Sequence, residues 1–250
     1  EMRYGLLNDA RRLDKKALPL MVERFAALAA SPFEKIPRAA PPFEKGGLGG
    51  ISPKTAFQPR LTSTEAQQQA ALDRLALAPQ KPVAAFCPGA EYGPAKRWPA
   101  PYFAELAQAL AAQGYEVWLL GSNKDAQTGE EIERLSQGTA RNLCGKTDLA
   151  EAIDLLAAAS LVVTNDSGLM HVAAALDRPM IAIFGSSSPG FTPPLSDRAR
   201  ILSLNLPCSP CFKRECPLGH FDCMKRLTPE RVMGEIGSLA RRAEYSGVSR

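Results

Sequence analysis

The chain has 250 residues, of which 45% are hydrophobic and 22% charged, and its formal net charge is +4. That balance excludes a disordered chain, a collagen repeat and a coiled coil, and the length admits one large domain or two small ones. No apolar run approaches the ~18 residues of a membrane span, and there is no dense basic stripe, so neither a membrane-crossing segment nor a nucleic-acid partner is expected. The eight Lys/Arg and five Asp/Glu of residues 206–250 carry most of the positive excess. A solvated surface is the favoured reading of them, with an anionic ligand or an anionic membrane surface as the alternative. The chain opens at Glu1 in sequence that reads as mid-protein, so a fragment is expected.

Asp14 to Ala30 has the spacing of a helix, with Met21, Phe25 and Leu28 on one face. Residues 31–60 break that pattern with six prolines, four glycines, the repeated PFEK of Pro32–Lys35 and Pro42–Lys45, and GGLGG. They read as a mobile low-complexity linker or insert. A helix is predicted over 62–77, with Thr62, Ser63 or Thr64 as the N-cap and Glu65 and Gln67 placed for a capping box. From Lys81 onward strands and helices alternate. Val83–Cys87, Glu116–Leu120, Leu161–Thr164, Met180–Phe184 and Arg200–Leu204 are predicted strands. Tyr102–Gln113, 125–137, Asp148 to Ala158, Gly168–Leu176 and Thr228 to Arg242 are predicted helices, the last with Val232, Ile236 and Leu239 on one face. Apolar strands separated by amphipathic helices imply an α/β fold, a doubly wound parallel sheet with right-handed crossovers. Ligands of such sheets lie beyond the carboxyl ends of the strands, which directs attention to the loops after Cys87, Leu120, Thr164 and Phe184.

The first of these loops, Pro88–Pro99, brings Lys96 and Arg97 to a strand end, where cations suit phosphate. It lacks the glycine pattern of a dinucleotide fingerprint or a P-loop. The third loop, Asn165-Asp166-Ser167-Gly168-Leu169-Met170-His171, runs straight into a helix. Backbone N–H groups at Ser167, Gly168 and Leu169 then make an anion site at the positive helix end. Gly168 permits close approach of a pyrophosphate. Asp166 is assigned to sugar hydroxyls, and His171, four residues after Ser167, to phosphate or ribose. The alternative is that Asp166 and Ser167 only cap the helix and His171 is structural. Gly121–Asp125 and Gly185–Gly190 are small, polar and glycine-rich at the other two strand ends. The convergence of four such loops favours a nucleotide-type ligand.

PGAEYGPAKRWP, LLGS, NLCGKTDL, VVTNDSGLMHVAAALDRPMIAIFGSSSPG and CSPCFKRECPLGHFDCM, in this order, resemble the lipopolysaccharide heptosyltransferases of glycosyltransferase family 9, nearest to their type II members. The resemblance covers residues 1–30 and 60–243. It implies a GT-B fold, in which residues 1–30 are the end of an N-terminal acceptor domain, 31–60 an insert at the interdomain connection, and 61–250 a Rossmann-like C-terminal domain that binds the nucleotide sugar. It implies inverting transfer of heptose from ADP-heptose to the lipopolysaccharide inner core, with no required cofactor, in the cytoplasm and peripheral to the inner membrane. Carried over by motif, Lys96 neutralises the diphosphate, Thr147 lies near the nucleotide, and Asp166, Ser167, Gly168, Leu169 and His171 hold heptose and phosphates. Asn123 stands where related transferases carry a ribose-binding glutamate. The family's catalytic aspartate belongs near the start of the N-terminal domain, ahead of Glu1, so catalysis by these residues alone is not expected. An epimerase-type relative using another nucleotide sugar is the competing enzyme, and a zinc-binding interaction module built on residues 206–227 is the competing non-enzyme.

Cys208, Cys211, Cys216 and Cys223 fall within 16 residues, with His220 among them, inside a cysteine-rich segment spanning 206–227. Four thiolates are enough for a tetrahedral structural zinc, though the spacing is not that of a zinc ribbon. In a reducing cytosol, metal or free thiols are stronger readings than disulfides. Lys213, Arg214, Lys225 and Arg226 surround the cluster.

Overall fold

The computed structural model describes residues 19–24 and 58–247, with side chains to Leu239. Residues 21–24 are helical, as expected, but residues 19 and 20 are not, and Pro19 marks the entry to the helix; the rest of the expected 14–30 helix, residues 31–57 and residues 1–13 lie outside the described residues.

Six parallel strands form one sheet: β1 (Val83–Cys87), β2 (Glu116–Leu119), β3 (Ala140–Asn142), β4 (Leu161–Asn165), β5 (Met180–Ile183) and β6 (Ala199–Leu202), in the order β3-β2-β1-β4-β5-β6. The helices are α1 (Glu65–Arg74), α2 (Ala100–Ala112), α3 (Ala126–Leu135), α4 (Leu149–Ala158), α5 (Gly168–Ala175), α6 (Asp222–Lys225) and α7 (Pro229–Gly247). This is the doubly wound order in which the chain grows outward from β1, then crosses back to β4 and grows the other way. Every residue of β1, β4 and β5 is buried, which is why these strands read as unbroken apolar runs.

Alternation along the strands divides the core into two layers. Ala84, Phe86, Val117, Leu119, Val163 and Ile181 face α2, α3 and α7. Val83, Ala85, Cys87, Trp118, Val162 and Met180 face α1, α4 and α5. In α2, Phe103, Leu106, Ala107 and Leu110 recur at helical spacing and are all fully buried. Trp98, just ahead of that helix, stacks edge-on against Phe103 at 4.8 Å, and its indole N–H donates to Leu227 O at 2.7 Å.

Local signals set the helix ends. Thr64 is the N-cap of α1 and Gln67 completes the capping box, so the helix starts later than 62. Asp148 and Glu151 make the same box at α4. A 3₁₀ turn at Asn123–Asp125 precedes α3. Two elements were not anticipated. β3 is three residues long with an exposed Arg141 at its centre, so it carries no apolar run. The short α6 lies within the cysteine-rich segment.

The β3–α3 contact is tight at Gly129. A Cβ there would stand 2.2 Å from the Oδ1 of Asn142, which is 4% exposed and accepts from the Cys144 N–H at 3.0 Å. Gly129→Ala therefore destabilises the domain by ~1–3 kcal/mol through overpacking, although the same change on a free helix surface stabilises by ~1 kcal/mol. A urea unfolding midpoint equal to or above that of the parent chain contradicts this.

Candidate functional site

The loops after β1 and β4 leave neighbouring strands on opposite sides of the point where strand order reverses, and in such sheets the ligand cleft lies between these loops. The β1 loop is held rigidly. Asn165, at the end of β4 and fully buried, accepts from the Trp98 N–H at 3.0 Å and donates to Pro88 O at 2.7 Å. One amide thus pins both ends of the segment that carries Lys96. Gly89 packs on the buried carboxyl of Asp125, where a Cβ would stand 2.5 Å from Cγ. Gly93 has φ +155° and presses on Arg214 O, 2.5 Å from where its Cβ would be, so only glycine suits that approach. A 3₁₀ turn, Pro94–Lys96, then lifts Lys96 into the cleft.

Lys96 Nζ lies 2.5 Å from Asp166 Oδ2; the two side chains are 18% and 5% exposed. The pair bridges the two loops across the cleft. Lys96 also sits 5.3 Å from the centre of the Tyr92 ring. Sequence reading assigns these two residues separate ligand groups, and the structure adds that each is the other's partner. Ser167 occupies the N-cap position of α5 in extended conformation but makes no side-chain bond to the helix, so the capping alternative fails for Ser167. Its hydroxyl lies 3.4 Å from that of Thr164. A Cβ on exposed Gly168 would meet nothing within 4 Å, so the space in front of the helix start is open. Leu169 is half-buried against the lower core layer. His171 is exposed one turn further on, yet protein crowds it enough that desolvation lowers its pKa; Asp166 pulls the other way and Lys96 adds to the lowering. The ring is therefore neutral at pH 7 and can donate one hydrogen bond without adding charge.

The β2 and β3 loops meet beside this cleft. Gly145 N–H donates to Gly121 O at 3.0 Å, and a Cβ on Gly145 would come within 2.9 Å of Asn123 Oδ1. Exposed Asn123 thus abuts the loop that carries the half-buried Thr147. Asp125 shapes this corner by accepting from the N–H and hydroxyl of Ser122 at 3.0 and 2.7 Å. Sequence reading missed Asn165 and Asp125. Each is a buried polar residue at a strand end, a position that demands partners.

The cysteine-rich segment props the site from behind. Ala95 N–H donates to Arg214 O at 3.0 Å and the Tyr92 hydroxyl to Phe212 O at 2.9 Å. On the β5 side, Phe212 N–H donates to Ser186 O at 2.6 Å and the Ser209 hydroxyl to Gly185 O at 2.5 Å. Burial raises the Cys223 thiol pKa, and Cys211, Cys208 and Cys216 add to the rise. Cys216 moves down, chiefly through the backbone N–H of Phe221, then those of Leu218, Gly219 and His220. Cys87 and Cys144 belong to the core instead: burial raises both, Cys144 to about 12, so both stay protonated and inert at neutral pH. At the same end of the sheet, Met21 N–H donates to Phe191 O at 3.1 Å, and Arg24 lies over the Phe191 ring at 4.8 Å.

A 3-2-1-4-5-6 parallel sheet with a cation, an open helix start and polar loops at its switch point is the arrangement that nucleotide-binding α/β domains use. A family model for glycosyltransferase family 9 (heptosyltransferase) matches residues 1–222. Lipopolysaccharide heptosyltransferase 2 of Salmonella typhimurium is 47% identical over 245 residues, 96% of this chain and 67% of that protein. The protein of the same name from Escherichia coli K12 is 45% identical over 250 residues, 98% of this chain and 68% of the relative. The solved structure of E. coli ADP-heptose LPS heptosyltransferase II matches with a TM-score of 0.78 at 42% identity, over 97% of this chain and 68% of that one. The chain belongs to glycosyltransferase family 9, the heptosyltransferases. Its parallel sheet is the Rossmann-like domain that a GT-B glycosyltransferase requires.

Proposed function

We propose that residues 61–250 bind ADP-heptose and present its anomeric carbon for transfer to the lipopolysaccharide inner core. The observation that carries this is the juxtaposition, at the switch point, of the Lys96–Asp166 pair with the uncapped, open start of α5. A diphosphate placed there accepts from the free N–H groups of the helix and meets the Lys96 ammonium. His171 reaches the same group from the next turn, and the free oxygen of Asp166 is left for a sugar hydroxyl. Asn123 and Thr147, on the β2–β3 side, fall to the nucleoside. The acceptor hydroxyl oxygen attacks the anomeric carbon as the bond to the β-phosphate oxygen breaks. Its proton goes to a base supplied by the acceptor domain. The charge that builds on departing ADP is met by Lys96 and the helix start, which strengthens their hold in the transition state. Residues 1–30 then belong to the acceptor domain and 31–60 to the connection between the two halves. No helix among the described residues is long and apolar enough to cross a membrane. The reading accordingly has the chain work in the cytoplasm and meet its lipid-linked acceptor peripherally at the inner membrane.

Calorimetric titration with ADP, ADP-heptose and UDP tests the reading. ADP and ADP-heptose bind and UDP binds more weakly; a UDP preference or no ADP binding overturns it. Gly168→Ala localises the site. Its methyl group touches nothing in the protein, so the unfolding midpoint holds, while ADP affinity falls ~10-fold or more as the diphosphate is kept from the backbone. Unchanged affinity in a folded Gly168→Ala chain removes the diphosphate from α5.

A further inference from the structure

The four clustered cysteines take no part in transfer, yet the fold brings them to one place. Cys208, Cys211, Cys216 and Cys223 are free thiols that line a single cavity of ≈ 20 Å³ together with His220, Ala95 and Ser186. That is room for one water-sized particle. The Ser186 hydroxyl, 1% exposed, lines the same cavity and has no hydrogen-bond partner. Phe221 N–H points at the Cys216 sulfur, 3.4 Å away. The chain bends around these sulfurs through left-handed residues, Phe212 at φ +54°, Gly219 at +71° and Phe221 at +57°. Beyond its hydrogen bonds to the β1 and β5 loops and the burial of its last residues, regular structure adds little order to the segment. Between β6 and α7 it contains only the four-residue α6, and it leaves Phe212 and Leu218 50% and 62% exposed. A connection of this length gains from a further local staple.

We propose that Cys208, Cys211, Cys216 and Cys223 hold one zinc ion as a tetrahedral structural site, and that this ion stiffens the strut beneath the Lys96 loop. Four soft thiolates select zinc over magnesium or calcium and leave no open position for catalysis. Binding releases the four thiol protons as four zinc–sulfur bonds form, with no change in oxidation state. Among the described residues no group of three or more such side chains is placed to hold a metal ion as they stand, so the proposal requires the four sulfurs to close in on the ion. Ala95, which lines the cavity, is the neighbour of Lys96, so closure bears directly on the cation. Within the ring, His220 is engaged otherwise, since its Nδ1 accepts from Asp222 N–H at 2.9 Å.

The test uses the whole chain purified under reducing conditions without chelator. Elemental analysis finds one zinc per chain; after chelation, added cobalt(II) gives the visible bands of a tetrahedral thiolate complex, and zinc bleaches them. Cys211→Ser and Cys216→Ser, both at half-buried positions that the domain core does not use, each lose the stoichiometric zinc. Amide exchange over residues 92–98 rises ~10-fold on zinc removal, as expected when a local staple is released. Zinc well below one per chain with no cobalt bands, or the four thiols recovered as two disulfides, overturns the site. Stoichiometric zinc whose removal leaves exchange at 92–98 unchanged overturns the strut. None of these readouts depends on donor binding. If chelation unfolds the whole domain, exchange is compared between zinc-loaded parent and Cys216→Ser, with the same two outcomes.

Discussion

Lys96→Ala weakens ADP binding by ~1–3 kcal/mol and destabilises the domain by ~2–4 kcal/mol, two losses with different causes. The first is loss of a charge-assisted contact to the diphosphate. The second arises inside the protein. Asp166 is 5% exposed, and without the ammonium 2.5 Å away its charge is left in a poorly solvated place. Breaking one side of such a pair costs more than the pair is worth, so removing the second charge should repair the fold without repairing the function. Lys96→Ala with Asp166→Asn therefore regains most of the lost stability by urea unfolding while ADP affinity stays low by calorimetry. If the double variant is no more stable than Lys96→Ala, the pair is not what Lys96 contributes to the fold. If ADP binds Lys96→Ala as it binds the parent, Lys96 has no diphosphate role.

Asn165→Leu is the second large effect. The residue is fully buried and uses both ends of its amide. A leucine of similar size orphans the Trp98 N–H and the Pro88 carbonyl together. At about 1–3 kcal/mol for each stranded group the domain loses ~2–5 kcal/mol, which lowers its Tm by roughly 5–15 °C. ADP affinity falls as well, because both ends of the Lys96 loop come loose. A Tm within two or three degrees of the parent would mean that the loop is held by its other contacts. Asn165→Asp tests geometry against polarity: its size is kept and one oxygen still accepts from the Trp98 N–H, but the other sets an acceptor against the Pro88 carbonyl, so it repairs little.

How much of this is legible in the sequence depends on how far each relation reaches. β1, β4 and β5 are readable because burial on both faces writes an unbroken apolar run. β3 is not, because Arg141 at its centre faces out and only its pairing with β2, Val117–Leu119 against Ala140–Asn142, makes a strand of it. The site divides the same way. Lys96 and the Asp166–His171 stretch stand out as charge, glycine and histidine at predicted strand ends. Their mutual pairing spans 70 residues of sequence, and nothing local encodes it. Asn165 sits beside Asp166 and reads as the tail of a strand; its role appears only once Pro88 and Trp98 are seen on either side. The clustering of the four cysteines is visible at once, and their shared cavity is not.

The uncapped start of α5 has a consequence for how the protein persists between turnovers. A helix whose N-cap side chain makes no bond to its first N–H groups is less stable than it could be, and an anion bound there raises the folded state's free-energy advantage by mass action. At a donor concentration 100 times its dissociation constant that gain is about 2.7 kcal/mol. A donor bound there as proposed acts on the chain as a folding ligand as well as a reactant, so the thermal midpoint of the parent chain rises with added ADP and that of Gly168→Ala rises less.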